Sequence, residues 1–224
     1  VTYTAKWEYA QITLHYIVNG QEANSEVYRL DEPINSLWVY GGDNFSGWHL
    51  ERNFSTNSAV VTSTEILKIT ENNAYLYGGT YLGTQGLEFL YVDNCYELVG
   101  YSGAMTEVTV ASSFNGLPVT AVAQSAFMNH SELTEVSIPA SVTVIAGGAF
   151  SGCSSLQSIT VPFVGGSKAA VASESTVIGY IFGDVNYAGS AKVTQRYQYN
   201  RYCSYYLPIS LTTVRITGGS ILYG

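Results

Sequence analysis

A repeat with a fixed spacing of 23 residues is the feature that most constrains the fold of this chain. The phrase Leu-x-x-Val-x-Ile-Pro returns as Leu-x-x-Ile-x-Val-Pro. The matched positions are Leu133, Val136, Ile138 and Pro139, followed one spacing later by Leu156, Ile159, Val161 and Pro162. A shift that holds over four positions indicates an internal structural repeat.

The repeat also contains a second apolar block, which ends in Ala-Phe. The same shift relates Val119, Val122, Ala126 and Phe127 to Val142, Ile145, Ala149 and Phe150. The first block alternates like a short strand, and the second precedes a turn segment rich in Ser, Asn and Gly. A unit of this size cannot bury its own apolar side, so the pattern predicts that units stack strand on strand into a parallel-strand solenoid.

Two further segments fit the strand pattern at other spacings. Met105, Val108 and Val110 precede Leu133, Val136 and Ile138 with a shift of 28. Leu211, Val214 and Ile216 follow Leu156, Ile159 and Val161 with a shift of 55. A shift of 55 instead of 23 places 32 extra residues between the third and fourth strands. We therefore expect an insertion at about residues 163–207.

The repeats resemble the leucine-rich repeats of the bacterial BspA type, whose phrase reads roughly L-x-x-I-x-I-P-x-x-V-x-x-I-x-x-x-A-F-x-x-C. Leu133 to Phe150 with Cys153 match this phrase, and Leu156 to Pro162 match it in shortened form. The resemblance extends over roughly residues 86–224. It implies a leucine-rich-repeat solenoid, here assigned to residues 87–224, in a secreted or cell-surface protein, and an interaction module without shared catalytic residues.

The first third of the chain has a different pattern. Asn19-Gly20 is a hairpin turn signal after an alternating strand, and "FSGWHLERNF" follows at Phe45 to Phe54. Together these segments resemble the small Listeria-Bacteroides repeat of bacterial surface proteins, which implies a β-grasp-like domain over residues 8–79. Val1 to Trp7, "VTYTAKW", resemble the last strand of a preceding copy, and the Gly-rich residues 80–86 are the expected linker.

These patterns predict a mainly β protein with two domains, which we expect to be a segment of a longer modular protein with its signal and anchor outside it. The net charge is −8 and basic residues are scattered, which argues against nucleic acid and an anionic membrane surface as partners. Membrane insertion is not expected because no apolar run is long enough to span a bilayer.

The three cysteines, Cys95, Cys153 and Cys203, include no Cys-x-x-Cys pair. This spacing favours a role for them as small hydrophobic residues buried in the core. Whether all three are free stays open.

Few residues suggest chemistry. His15, His49 and His130 lack a partner at a metal-ligand spacing, so no metal or other cofactor is expected. The repeat would bring Glu107 and Glu135 onto neighbouring strands, at a separation near that of a retaining glycosidase. An open sheet lacks the pocket that would raise one of their pKa values, so we predict no catalytic residues and no enzyme activity.

The segment "RYQYNRYCSYYLP", within the insertion, is the strongest binding candidate. Tyrosine and arginine dominate interface hot spots, and exposed tyrosines also stack on sugar rings. The candidate residues are Arg196, Tyr197, Tyr199, Arg201, Tyr202, Tyr205 and Tyr206, together with Glu107, Glu135 and Arg215 on the strand face. An insertion also needs aromatic residues to pack on the repeats, and alternate tyrosines would then belong to the core.

Three functions are compatible with these patterns. The first is a non-enzymatic interaction or adhesion segment of an extracellular bacterial protein, whose partner is a protein or glycan on a host or neighbouring cell. The second is an architectural stalk without a specific partner. The third is a carbohydrate-binding or hydrolytic surface at the tyrosine-rich insertion and the acidic pair.

Overall fold

The structure, a computed structural model, is mainly β. It describes residues 11–29, 34, 36–42, 45, 47–50, 73–169 and 171–218. The strand predicted for Val1 to Trp7 lies outside these residues. The chain divides into two compact units, Val1–Thr80 and Tyr81–Gly224.

The described part of the first unit contains a three-stranded sheet. Its strands are β1 (Gln11–Val18), β2 (Gln21–Arg29) and β3 (Asn73–Gly78), in the order β2-β1-β3. β1 and β2 form an antiparallel hairpin, and β3 pairs parallel to β1. Asn19 and Gly20 have φ values of 50° and 80°, the positive values that favour the predicted hairpin turn at Asn-Gly.

Aromatic residues build the core under this sheet. Alternate residues of β1 are buried. One of them is Tyr16, whose ring centroid lies 4.9 Å from that of Trp48. The Trp48 indole N–H donates a 2.8 Å hydrogen bond to the Trp38 carbonyl oxygen. This hydrogen bond connects the Trp48 side chain to the backbone of Trp38. The buried core consists of Ile12, Leu14, Tyr16, Val18, Ile34, Trp48, Ala74 and Leu76. The β-grasp-like fold of residues 8–79 stays a prediction.

The second unit begins with a hairpin of β4 (Leu87–Val92) and β5 (Cys95–Tyr101). β5 continues through parallel pairing to β8 (Leu117–Val122) and β10 (Val144–Ile145), and the short β7 (Ser113–Phe114) pairs antiparallel with β8. Phe89 stacks on Phe114 at 4.7 Å beside this hairpin, and Tyr81 lies 5.4 Å from Phe89. Tyr81, at the start of the second unit, therefore packs into an aromatic cluster.

A second sheet in this unit is entirely parallel. Its strands are β6 (Glu107–Thr109), β9 (Glu135–Ser137), β11 (Ser158–Val161) and β14 (Thr213–Ile216), in the order β14-β11-β9-β6. Val108, Val136, Ile159 and Val214 lie in register across the four strands, as the three sequence shifts predict. At the β6 edge, the Thr84 N–H donates to the Thr109 carbonyl oxygen at 2.9 Å, and the Thr109 N–H donates to Thr84 Oγ1 at 2.8 Å.

Stacked phenylalanines lie at the turn of each repeat. Phe127 and Phe150 have ring centroids 5.1 Å apart and nearly parallel planes, and Phe182 continues the row 6.1 Å from Phe150. The Phe127 N–H donates to the Ala149 carbonyl oxygen, and the Phe150 N–H donates to the Ile181 carbonyl oxygen, each at 2.9 Å. Ile181-Phe182 therefore occupies the Ala-Phe position of the repeat that follows Ala149-Phe150, at a longer spacing than between the two preceding turns.

The predicted insertion thus contains both a repeat turn and an added hairpin. Two 3-10 helices, Glu174–Thr176 and Ile178–Phe182, form the turn. The hairpin follows, with β12 (Ser190–Gln198) and β13 (Arg201–Pro208) paired antiparallel.

Candidate functional site

The end of the β12–β13 hairpin exposes four of the predicted binding residues. Tyr199 and Tyr202 are 83% and 59% exposed, and Arg196 and Arg201 are also exposed. Arg196 and Tyr202 are cross-strand neighbours, and Tyr199 lies in the turn before Asn200, which has a φ of 56°. We refer to Arg196, Tyr199, Arg201 and Tyr202 as the hairpin tip.

Tyr205, by contrast, is buried between the hairpin and the repeats. It is 7% exposed, its ring lies 6.3 Å from Tyr180 in an edge-to-face arrangement, and its hydroxyl donates a 3.0 Å hydrogen bond to the Glu174 carbonyl oxygen. Burial raises the pKa of the Tyr205 phenol. The Gly179 N–H donates to Gln195 Oε1 at 2.8 Å, and a Cβ on Gly179 would lie 2.7 Å from the Tyr205 ring. The hairpin therefore docks closely on the second 3-10 helix.

The remaining predicted residues are separate from the hairpin tip. Tyr197 and Tyr206 are half-buried. Glu107 and Glu135 are exposed and lie side by side on β6 and β9, as the repeat predicts. Arg215 is exposed on β14, in register with Thr160 and not with the glutamates.

A cleft of about 530 Å³, not foreseen from the sequence, opens between the docked hairpin and the repeat turns. Tyr205 is the only predicted binding residue in its wall. The wall is formed by Gln124, Ser125, Met128, Gly147, Gly148, Ser151, Glu174, Tyr180, Gly183, Asp184, Val185, Cys203, Ser204 and Tyr205. One wall of the cleft has a sequence signal, which is the alignment of Ile181-Phe182 with Ala149-Phe150. This alignment places Tyr180 and Asp184 at a repeat turn.

The surroundings of Cys153 and Cys203 disfavour the charged forms of their thiols. All three are free, and only Cys153 is fully buried, so the predicted buried role holds for Cys153 and not for the half-buried Cys95 and Cys203. Burial raises the pKa of the Cys153 thiol to about 12, and its thiol donates to the Phe127 carbonyl oxygen at 3.0 Å. Burial, with the nearby Glu174 carboxylate, also raises the pKa of Cys203 in the cleft wall, which disfavours a reactive thiolate there.

Two of the histidines, His15 and His130, each pair with a glutamate that is near in sequence. His15 Nδ1 lies 3.1 Å from Glu22 Oε1, and this hydrogen bond raises the pKa of His15. His130 Nδ1 lies 2.9 Å from Glu132 Oε1 and holds the pKa of that carboxyl below its usual value. Within the described ranges, no three or more His, Cys, Asp or Glu side chains are grouped to hold a metal ion. Nor does any helix among those residues have the length and apolar character to cross a bilayer.

Comparison with known proteins places part of the second unit in a repeat family model. Residues 108–166 match the family model described as "BspA type Leucine rich repeat region (6 copies)". No curated protein and no solved structure matches the chain. Repeats of this family are commonly surface and protein-interaction elements and are typically non-enzymatic. Residues 108–166, which include β6, β9 and β11, are therefore similar to BspA-type leucine-rich repeats.

Proposed function

We propose that this chain is a non-enzymatic interaction segment of a secreted or cell-surface bacterial protein, and that it contacts its partner through the hairpin tip. In this proposal, residues 87–224 are a BspA-type solenoid and residues 8–79 a small β-grasp-like domain. The match over residues 108–166 supports the repeat family, and the in-register parallel strands support stacking. The exposed aromatic and basic side chains of the hairpin tip carry the proposed function.

The hairpin tip has the composition of an interface anchor. Tyrosine and arginine make large contacts at a low cost in conformational entropy, and both are enriched at binding hot spots. The hairpin is already held on the repeats through Tyr205, Gly179 and Gln195, so exposure of Tyr199 and Tyr202 is not required for docking. A stalk without a partner would have no need to expose them, which favours the interaction role.

Surface-plasmon binding tests the proposal. The chain would be measured against extracellular-matrix proteins, mucin and a glycan panel, beside the variant Tyr199→Ser/Tyr202→Ser. We expect saturable binding of the parent chain to a protein on the panel. The affinity of the variant for that protein should be at least about tenfold weaker, because each hot-spot aromatic contributes roughly 2 kcal/mol.

A matched control removes apolar surface elsewhere in the second unit. Leu82 and Val171 are 89% and 85% exposed, so Leu82→Ser/Val171→Ser should melt and bind like the parent. Equal losses in both variants would contradict a site at the hairpin tip. Binding confined to glycans would favour the carbohydrate-binding function, and the absence of any binding would favour the architectural stalk.

A further inference from the structure

The cleft combines aromatic, acidic and apolar wall residues. Tyr180 and Tyr205 contribute two rings at right angles, Glu174 and Asp184 contribute carboxylates, and no lining residue is Lys, Arg or His. A phosphate, sulfate or carboxylate ligand would meet like charge and no basic partner. The wall therefore selects against anions.

The hairpin holds the backbone on which both carboxylates are mounted. The Glu174 carbonyl oxygen accepts the Tyr205 hydroxyl at 3.0 Å. Gly183, directly before Asp184, donates its N–H to the carbonyl oxygens of Gly179 and Tyr180 at 3.2 Å, and its own carbonyl oxygen accepts the Tyr206 N–H at 3.0 Å. A charged ligand would thus meet a preorganised wall, which lowers the entropy cost of binding.

The charge of Glu174 reaches the interior of the cleft. Its carboxylate contributes, after burial, to the raised pKa of Cys203, which also lines the cleft. A field that disfavours a thiolate favours a cation at the same place. The half-buried ring of Tyr180 attracts cations for the same electrostatic reason.

Apolar side chains complete the match to one type of ligand. Met128 and Val185 are both lining residues and exposed large hydrophobic side chains. Lysine and arginine pair a charged head with an aliphatic stem, and the stem covers apolar surface while the head contacts carboxylates and rings. Gly147, Gly148 and Gly183 leave room in the wall, and about 530 Å³ accommodates such a side chain with its neighbouring backbone.

We propose that the cleft binds an arginine or lysine side chain presented by a partner polypeptide. This site is distinct from the hairpin tip and does not depend on the function proposed for it. The hairpin tip is basic and aromatic, whereas the cleft is acidic. One extended partner can therefore contact the hairpin tip with acidic residues and the cleft with a basic residue.

An NMR titration of the uniformly ¹⁵N-labelled chain tests the site. The probes are acetyl-Gly-Ser-Arg-Ser-Gly-amide and the same peptide with citrulline, an uncharged analogue of arginine of nearly equal shape. The amide resonances of Gly147, Gly148 and Gly183 report on the cleft wall. We expect saturable shifts of these resonances with the arginine peptide, and binding at least about tenfold weaker with the citrulline peptide.

Two isosteric double variants separate the cleft from general charge effects. Glu174→Gln/Asp184→Asn removes the cleft carboxylates and should weaken arginine-peptide binding by at least about tenfold. Glu107→Gln/Glu135→Gln makes the same change in net charge on β6 and β9 and should leave binding within about twofold.

Three outcomes of the peptide titrations would overturn the proposal. They are equal affinity for the two peptides, equal losses in the two variants, and no saturable shift of the glycine resonances up to about 10 mM peptide. A neutral saccharide such as maltose that shifted the same resonances, with no response to the arginine peptide, would also overturn it and indicate a sugar site. The hairpin tip is intact in every arm, so these outcomes leave the binding test of Tyr199 and Tyr202 unaffected.

Discussion

Residues in the left-handed backbone region mark two places in each of the repeat turns that contain Phe127 and Phe150. Ser125 and Gly148 have φ values of 64° and 73°, and Asn129 and Gly152 have φ values of 64° and 84°. Both pairs are related by the repeat spacing, so the backbone conformation repeats even where the residue type does not. Asparagine tolerates this region well and serine less so, whereas glycine adopts it without strain.

The two glycines allow backbone strain to be separated from crowding. A Cβ on Gly148 would meet nothing closer than 4.0 Å, but a Cβ on Gly152 would lie 2.4 Å from Asn129 Oδ1 and 3.0 Å from the Asn129 backbone. We expect Gly148→Ala to lower the free energy of unfolding by about 1 kcal/mol and Gly152→Ala by about 2–3 kcal/mol. Urea unfolding followed by far-UV circular dichroism measures both. Equal losses would contradict the crowding at Gly152.

The positions of individual tyrosines were beyond sequence reasoning. Alternation along β13 predicts which side chains share a face, but it does not say which face packs on the repeats. The close approach of the hairpin to Gly179, which has no side chain to collide with the ring, buries Tyr205 and leaves Tyr202 exposed. The register shift between Arg196 and Gln198 further interrupts the simple alternation near the turn.

At the scale of elements, the parallel strands were the most predictable part of the fold. β6, β9 and β11 follow the apolar repeat because Val108, Val136 and Ile159 face the same core, and Val214 continues the row on the edge strand β14, where it is 40% exposed. The Ile181-Phe182 turn was missed because isoleucine replaces the small alanine of the repeat phrase and the spacing to it is longer than the regular repeat. The cleft was missed because it arises from packing between a hairpin and turns distant in sequence, for which local patterns carry no signal.

Docking of the hairpin can be tested through the Tyr205 hydroxyl. Tyr205→Phe removes the hydrogen bond to the Glu174 carbonyl oxygen and should lower the free energy of unfolding by about 1 kcal/mol. Tyr205→Ala also removes the packed ring and should lower it by about 3 kcal/mol. Tyr202→Phe, at the exposed hairpin tip, should change it by less than about 0.5 kcal/mol. Urea unfolding measures all three, and a Tyr205→Phe variant as stable as the parent would argue against docking through this contact.

Across the whole molecule, both units bury weak acids in their protonated forms. Burial raises the pKa of Tyr16 and Tyr28 in the first unit, and of Tyr96 and Cys153 in the second. Their ordinary pKa values are 10.0 for tyrosine and 9.0 for cysteine. Above those values the unfolded chain releases protons that the folded chain retains. Stability is therefore fully present below about pH 9 and falls as the pH rises further.

This linkage predicts alkaline destabilisation of both units. Trp7, Trp38 and Trp48 all lie in the first unit, so tryptophan fluorescence follows that unit and circular dichroism follows both. By both probes, the urea midpoint should be lower at about pH 10.5 than at about pH 8. Cys153→Ala should weaken the pH dependence seen by circular dichroism and leave that seen by fluorescence unchanged. A parent chain with constant midpoints over this range would contradict the prediction.

The regular sequence step between β9 and β11 has a consequence for how such chains change over evolutionary time. A step of 23 residues separates each residue of β9 from its partner on β11, and the same step separates the stacked rings of Phe127 and Phe150. In-frame duplication or loss of one whole step by unequal recombination keeps both alignments, whereas other length changes keep them only where the added residues lie between the strands, as in the longer step from β6 to β9. Variation in length is thus accepted in whole repeats, or as hairpins added at a turn, like β12 and β13.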